Sequence, residues 1–353
     1  GNARRADDGN KPKRKREMYF LSVFLSVAVL LALLVPGYVL RKTRIVGDTA
    51  AKDLSGVLIY VGMPALIFYC MMGVDKTHVK WQDVVICLLL AVIVHLVGYI
   101  AIKLVLMKCG DRGAKAAASF SAMFSNCGFL GIPLSEIAIK YCDAFTATPD
   151  DSMSRMRLYA TLFNVVFNLL NWTLGVALFG GAEKKSGMLR KALFNPCTIA
   201  LVAALPFTLT GLSLLEPINI GGTEITQIAD LITYLYNICV PVSMCILGIR
   251  LADIKAGAIF RNGYVYASLG VKMLIVPALV CAFCLLLHSF GGIGGEMVVC
   301  MVVMAATPTA TTALAFAERF GGDTTVAGSC IVSSTVSSLV VVPLFLMLTA
   351  DFL

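Results

Sequence analysis

This chain is short of charge. Aspartate, glutamate, lysine and arginine make up 14% of its 353 residues, and it holds three histidines and two tryptophans. A soluble domain is nearer a quarter charged, so a conventional water-facing fold is excluded. Hydrophilic stretches between apolar runs are also short, the longest running from about Tyr141 to Arg157, which leaves no room for a separate soluble domain. No Asp-Asp pair lies deep in an apolar run, as a sodium/proton exchanger would need. H-E-x-x-H and other metal-ligand spacings are missing, as are a P-loop, a ring of carboxylates and a filter-like carbonyl loop. These absences argue against intramembrane proteolysis, transport driven directly by ATP, and an ion channel. No nucleophile–base pair or metal set assembles from the spacing, so neither an enzyme nor a cofactor is expected.

What the chain has in quantity is apolar sequence: 58% hydrophobic residues and a mean hydropathy of +0.85. Its twelve cysteines mostly sit inside apolar runs and read as small hydrophobes, the Cys281/Cys284 pair included. Ten runs near twenty residues long satisfy the length for a membrane helix: 18–40, 54–74, 84–107, 116–140, 158–182, 192–213, 228–250, 263–288, 297–318 and 324–350. The expected fold is therefore an all-α polytopic membrane protein of ten transmembrane helices. Residues 1–17, rich in lysine and arginine, read as a disordered basic tail able to touch anionic lipid. The net charge of +8 reports topology in such a protein, not nucleic acid.

The fourth run is built to break. Within Ser125-Asn126-Cys127-Gly128-Phe129-Leu130-Gly131-Ile132-Pro133-Leu134, Pro133 removes a backbone donor, the glycines free the chain, and Asn126 adds an amide. Unwound backbone at membrane depth survives only when buried in protein or lining a cavity, and carriers build midplane substrate sites from it. The ninth run breaks likewise at Thr307-Pro308-Thr309-Ala310-Thr311-Thr312. Sliding the chain by 177 residues lays Asp53-Leu54 on Asp230-Leu231, Pro64 on Pro241 and His95 on Lys272. The halves 18–182 and 192–353, joined by a linker at 183–191, thus read as two inverted five-helix repeats with a site where the broken fourth and ninth helices meet. Loops after odd-numbered runs carry clusters such as Arg41-Lys42-Thr43-Arg44 and Lys184-Lys185. Those after even-numbered runs carry Lys76, Lys80, Lys140, Arg155 and Arg157. This asymmetry places both termini outside the cell membrane, against the pull of the basic tail.

Half-helix N-termini offer free amides and a positive dipole end, a ready anion site. Around them, Asn126, Cys127, Phe129, Pro133, Thr307, Pro308 and Thr309 are candidate substrate contacts; the threonines can equally bond back to their own helix. The fifth run spaces Asn164, Asn168 and Asn171 on one helix face, with Asn168 the foremost contact; interhelical bonding is the competing role. Ser333, Ser334, Ser337 and Ser338 read as packing residues. His95, Glu136 and Lys272 are intramembrane ionisable groups and candidates for proton or ion coupling. Lys272 has three options: Glu136, a backbone carbonyl or substrate.

The Ser125–Pro133 motif resembles the signature of the auxin efflux carrier family, which includes plant PIN-FORMED carriers and bacterial malate-permease-like proteins. Met63-Pro64-Ala65-Leu66-Ile67-Phe68, Asn195-Pro196, Leu247-Gly248, Ala305-Ala306-Thr307-Pro308, Glu318-Arg319-Phe320, Asp323 and Pro343 add to the likeness. The resemblance implies a dimerising scaffold (18–74 with 192–250) and an elevator-type transport domain (84–182 with 263–350). It also implies organic-anion substrates bound at the crossing, with Asn126 as the contacting asparagine and Pro308–Thr309 as the second crossover. Plant relatives have a glutamine near Asn168 and a long loop where about ten residues stand here. The expected function is a secondary or facilitative carrier of small carboxylates, coupled to a proton, to sodium or to neither. The alternatives are a sodium-coupled bile-acid-symporter-like carrier and a membrane ligand sensor that does not transport.

Overall fold

A computed structural model describes residues 11–74, 80–180, 194, 196–220, 223–253 and 262–353. The 183–191 linker, Asn195 and the first ten residues of the basic tail lie outside them. Among the described residues, seven helices are long and apolar enough to cross a bilayer. They are α1 (Met18–Lys42), α2 (Ala50–Met72), α3 (Trp81–Val105), α5 (Pro149–Leu178), α7 (Gln227–Asp253), α8 (Gly263–Ser289) and α10 (Thr324–Ala350). The fourth and ninth runs are split into α4a (Arg112–Met123) and α4b (Ile132–Tyr141), and α9a (Gly295–Ala306) and α9b (Thr312–Phe320). The sixth run gives a shorter helix, α6 (Pro196–Thr210). A two-stranded hairpin, β1 (Ile218–Ile220) against β2 (Thr223–Ile225), follows it with Asn219 opposite Glu224. The chain is thus a polytopic helical membrane protein.

One boundary differs from expectation. Helix begins at Lys11, not at residue 18, so the second half of the basic tail continues α1. Lysine and arginine are good helix formers, and elongation from an apolar helix already formed needs no new nucleus.

Prolines shape several helices. Five-residue widened turns, Leu58–Gly62, Cys127–Gly131 and Val271–Ile275, each run directly into a segment with proline at its second position: Pro64, Pro133 and Pro277. Proline cannot donate to the turn before it and its ring crowds that turn's carbonyl, so the preceding turn opens. α7 is interrupted at Ile238, just ahead of Pro241. Pro64 and Pro241, which the 177-residue offset pairs, both follow a local deformation.

The helices associate in two sets. α1 lies along α7, and α2 packs on α6 and α7. α3, α4, α5, α8, α9 and α10 pack among themselves, with α1 also touching α10 and α4b. Between α1 and α7 the backbones meet. A Cβ on Gly248 would stand 2.0 Å from the Leu34 carbonyl oxygen, and one on Gly37 2.0 Å from that of Cys245. Without a hydrophobic force between helices in lipid, such small-residue contacts carry association.

Each end of the bundle is tied by polar contacts at the helix ends. At one end Arg41 pairs with Asp253 at 2.7 Å and Arg250 with Glu318 at 2.9 Å, and the Asp323 N–H donates to the Gly113 carbonyl at 3.2 Å. At the other, Glu296 Oε1 accepts from Arg155 at 2.6 Å and Ser152 at 3.1 Å, joining the starts of α5 and α9a.

Gly248→Ala should lower thermal stability of the detergent-solubilised protein by the equivalent of about 1–3 kcal/mol, the usual range for overpacking. Gly270→Ala, whose Cβ would meet nothing within 4 Å, should be neutral or slightly stabilising. Melting curves of the two variants against the parent check this.

Candidate functional site

The two helix breaks meet. After α4a the chain extends at Phe124, and after α9a it extends at Thr307 (ψ 149°). The extended segments then pair antiparallel, Ser125 opposite Thr309. Asn126 N–H donates to the Pro308 carbonyl at 2.7 Å, and Ala310 N–H to the Phe124 carbonyl at 2.9 Å. Lipid offers no acceptor, so each break satisfies the other's backbone. Neighbouring helices complete the satisfaction: Thr309 N–H donates to Ser334 Oγ of α10 at 3.0 Å, and Thr309 Oγ1 to the Ser121 carbonyl of α4a at 2.9 Å. The Asn126 carbonyl accepts from Leu130 and Gly131 at 3.2 and 3.0 Å, opening α4b. By helix geometry the N–H groups of Cys127, Gly128 and Phe129 stand ahead of any intrahelical acceptor. Gly131 admits Met304 of α9a, whose sulfur lies 2.6 Å from where a Cβ would stand.

Lys272 of α8 enters this crossover, 1% exposed. Its ammonium donates to Ser125 Oγ in the first break and to the Ala305 carbonyl at 3.1 Å, at the end of α9a. A cation at a helix C-terminus is favoured by the dipole and by the free last carbonyls. Of the two partners anticipated within the chain, it has the backbone carbonyl and not Glu136. Glu136 lies elsewhere: it takes a 2.8 Å bond from Arg157, whose guanidinium stacks over Tyr69.

Asn126 and Asn164, 4% and 0% exposed, are the buried amides beside the break; Asn171, farther along α5, is also buried at 2%, and its side-chain oxygen lacks a partner among the described residues. Asn126 and Asn164 flank Cys127, whose thiol points to Asn164 Oδ1 at 3.4 Å. Both side-chain NH2 groups lack a partner among the described residues, which costs about 1–3 kcal/mol per buried group. Asn168 differs from its expected place as foremost contact. It is half-buried, and its amide donates to the Asn164 carbonyl at 2.9 Å. The stripe was legible, but its depth was not: Asn164, one turn earlier, is the member beside the break. Phe129, in the widened turn Cys127–Gly131, and Pro133, on α4b, are half-buried. Thr307 bonds back to the Met304 carbonyl at 2.9 Å, so it softens its own helix end. His95 bonds the Ala91 carbonyl at 2.7 Å and sits among Phe124, Phe163 and Phe167. It props the first break from behind and bonds neither Lys272 nor Asn126. Reading the sequence missed Ser125 as a hub, although it adjoins Asn126. It also placed Ser334 in packing, where it caps the Thr309 amide.

A many-spanning helical bundle with two broken helices meeting at a buried polar crossover has the make-up of a membrane transporter. A family model described as "Membrane transport protein" matches residues 22–346, and the chain belongs to that family, the auxin-efflux-like one its motifs resemble. The chain is also 28% identical over 333 residues to an uncharacterized transporter of Methanothermobacter thermautotrophicus (strain Delta H), covering 93% of this chain and 99% of that one.

Ser334→Ala should strand the Thr309 amide in an apolar interior and lower stability by about 1–3 kcal/mol. Ser333→Ala, whose hydroxyl bonds back to Ser329 of its own helix, should cost much less. Thermal unfolding of both variants reads the difference.

Proposed function

We propose that the protein is a secondary carrier of small organic anions, carboxylates foremost, working by alternating access at the crossover of α4 and α9. The observation that carries this reading is a buried polar centre dominated by donors. Asn126 and Asn164 hold unpartnered amide NH2 groups, the turn Cys127–Gly131 starts with N–H groups that stand ahead of any intrahelical acceptor, and Lys272 adds an amine donor. Glu136, the carboxylate of the same half-helix, is engaged by Arg157. A carboxylate would give both amides the acceptors they lack and would face a positive helix end. Cys127, Phe129, Thr307, Pro308 and Thr309 would enclose the remainder of the molecule, and Pro133 opens the half-helix behind them.

The packing supports an elevator division, with α1, α2, α6 and α7 as scaffold and the other six helices as the moving body. The bonds that complete the crossover come from α4, α8, α9 and α10, all in the second set. Apolar side chains exposed on the first set, Tyr60, Ile199, Val202, Leu231 and Tyr234, suit a homodimer or lipid. In this reading two inverted five-helix repeats build the carrier, and both termini face outward across the cell membrane.

Charge movement by proteoliposomes on a solid-supported membrane tests the proposal, with mono- and dicarboxylates as the panel and sodium and pH varied separately. A current specific to one carboxylate is expected. Asn126→Ala should abolish it while leaving the melting temperature unchanged. Lys272→Met should weaken the apparent affinity about 10- to 100-fold, the worth of a charged hydrogen bond. Normal currents in Asn126→Ala would overturn the site. Saturable binding without tracer uptake would make the protein a sensor instead.

A further inference from the structure

A second polar cavity lies away from the crossover. It measures about 490 Å³ and is bounded by the end of α3, the first two turns of α4a, the end of α5 and Gly321 beyond α9b. Three cations line it: Lys103, Arg112 and Lys115. None of them makes an ion pair with a carboxylate among the described residues, whereas Arg41, Arg155, Arg157 and Arg250 each do. The nearest acid in sequence, Asp111, bonds the Ala114 N–H at 3.1 Å and lines a neighbouring cavity. Lys103 lies over the Tyr99 ring, which keeps its ammonium along the wall of the cavity. Lys115 is half-buried, Lys103 and Arg112 are exposed at the mouth, and Ser119, 6% exposed, supplies a hydroxyl farther along α4a. The opposite wall is apolar, formed by Leu178 and Phe179.

Three like charges around one concavity favour an anion among them, most of all at the half-buried Lys115, where solvent screens least. A monocarboxylate would leave most of that charge uncompensated. A phosphate group, with several acceptor oxygens and up to two charges, matches an arginine fork flanked by two lysines. The cavity exceeds the size of a bare phosphate, and its Leu178–Phe179 wall suits carbon attached to one. Basic pockets between membrane helices at a cation-rich face hold phospholipid headgroups by the same physics.

We infer that this cavity is a binding site for a phosphate-bearing anion, distinct from the transport site at the crossover. The phosphate can be a lipid headgroup or a soluble ion, and the test separates these sources. The full chain is placed in nanodiscs of neutral phosphatidylcholine, and lysine acylation at Lys115 is followed by mass spectrometry. One arm adds phosphatidylglycerol to the bilayer; the other adds inorganic phosphate to the buffer. Protection of Lys115 by either one, at least several-fold, supports the site and names its source. The double variant Lys103→Gln/Arg112→Gln should weaken the protecting ligand about 10- to 100-fold, at roughly tenfold or less per cation near a membrane surface. Lys108→Gln, an exposed cation of the same loop that does not line the cavity, should leave protection unchanged. Absence of protection in both arms overturns the inference. So does equal weakening by Lys108→Gln, which would mean general surface charge, or undiminished protection in a double variant that melts like the parent.

Discussion

The centre of this protein depends on backbone hydrogen bonds made between two helices that each fail to continue. Inside a bilayer an unmade amide bond costs several kcal/mol, so neither break would be tolerable alone. Together, the Asn126–Pro308 and Ala310–Phe124 bonds turn two defects into a two-rung antiparallel ladder. Everything around the crossover serves that ladder. Ser334 and Ser121 take the threonine groups left over, Gly131 lets α9a come close, and the phenylalanines about His95 fill the space behind. Pulling the breaks apart would expose both sets of amides at once, so the ladder ties α4 and α9 into one mechanical unit.

Lys272 is the most demanding member of that unit. A buried ammonium without a carboxylate is costly, and here a hydroxyl, a carbonyl and the negative end of α9a do what an acid would do elsewhere. The lysine touches Ser125 from one half of the chain and Ala305 from the other. It therefore reports the register of the two halves as well as adding charge. The α1–α7 contact links the halves a second time, through two glycines that let backbone meet backbone and the Arg41–Asp253 pair at its end.

Much of this was legible in the residues. Apolar run lengths located the helices, and the glycine–proline clustering placed both breaks to within a few residues, because those effects are local. Pairings were not legible. That Glu136 would find Arg157, twenty-one positions away, and leave Lys272 to Ser125 depends on which turn of α5 faces α4b, and no periodicity encodes that. The asparagine stripe shows the same limit. Spacing shows that Asn164, Asn168 and Asn171 share a face, but the tilt of α5 against the break decides which is deepest. Helix 1 started early for a simpler reason: charged residues were read as tail, though their helical propensity is high.

The widened turns ahead of Pro64, Pro133 and Pro277 carry a further consequence. Each inserts an additional residue into its helix, and one residue is about 100° of rotation. The stripe of side chains turned toward the bundle before such a turn is thus out of phase with the stripe after it. A single helix can present one face to its neighbours in one leaflet and a different face in the other. Hydropathy patterns averaged over the whole of α2 or α8 blur for this reason, and a one-residue deletion within Leu58–Gly62 or Val271–Ile275 would realign faces that the fold keeps offset.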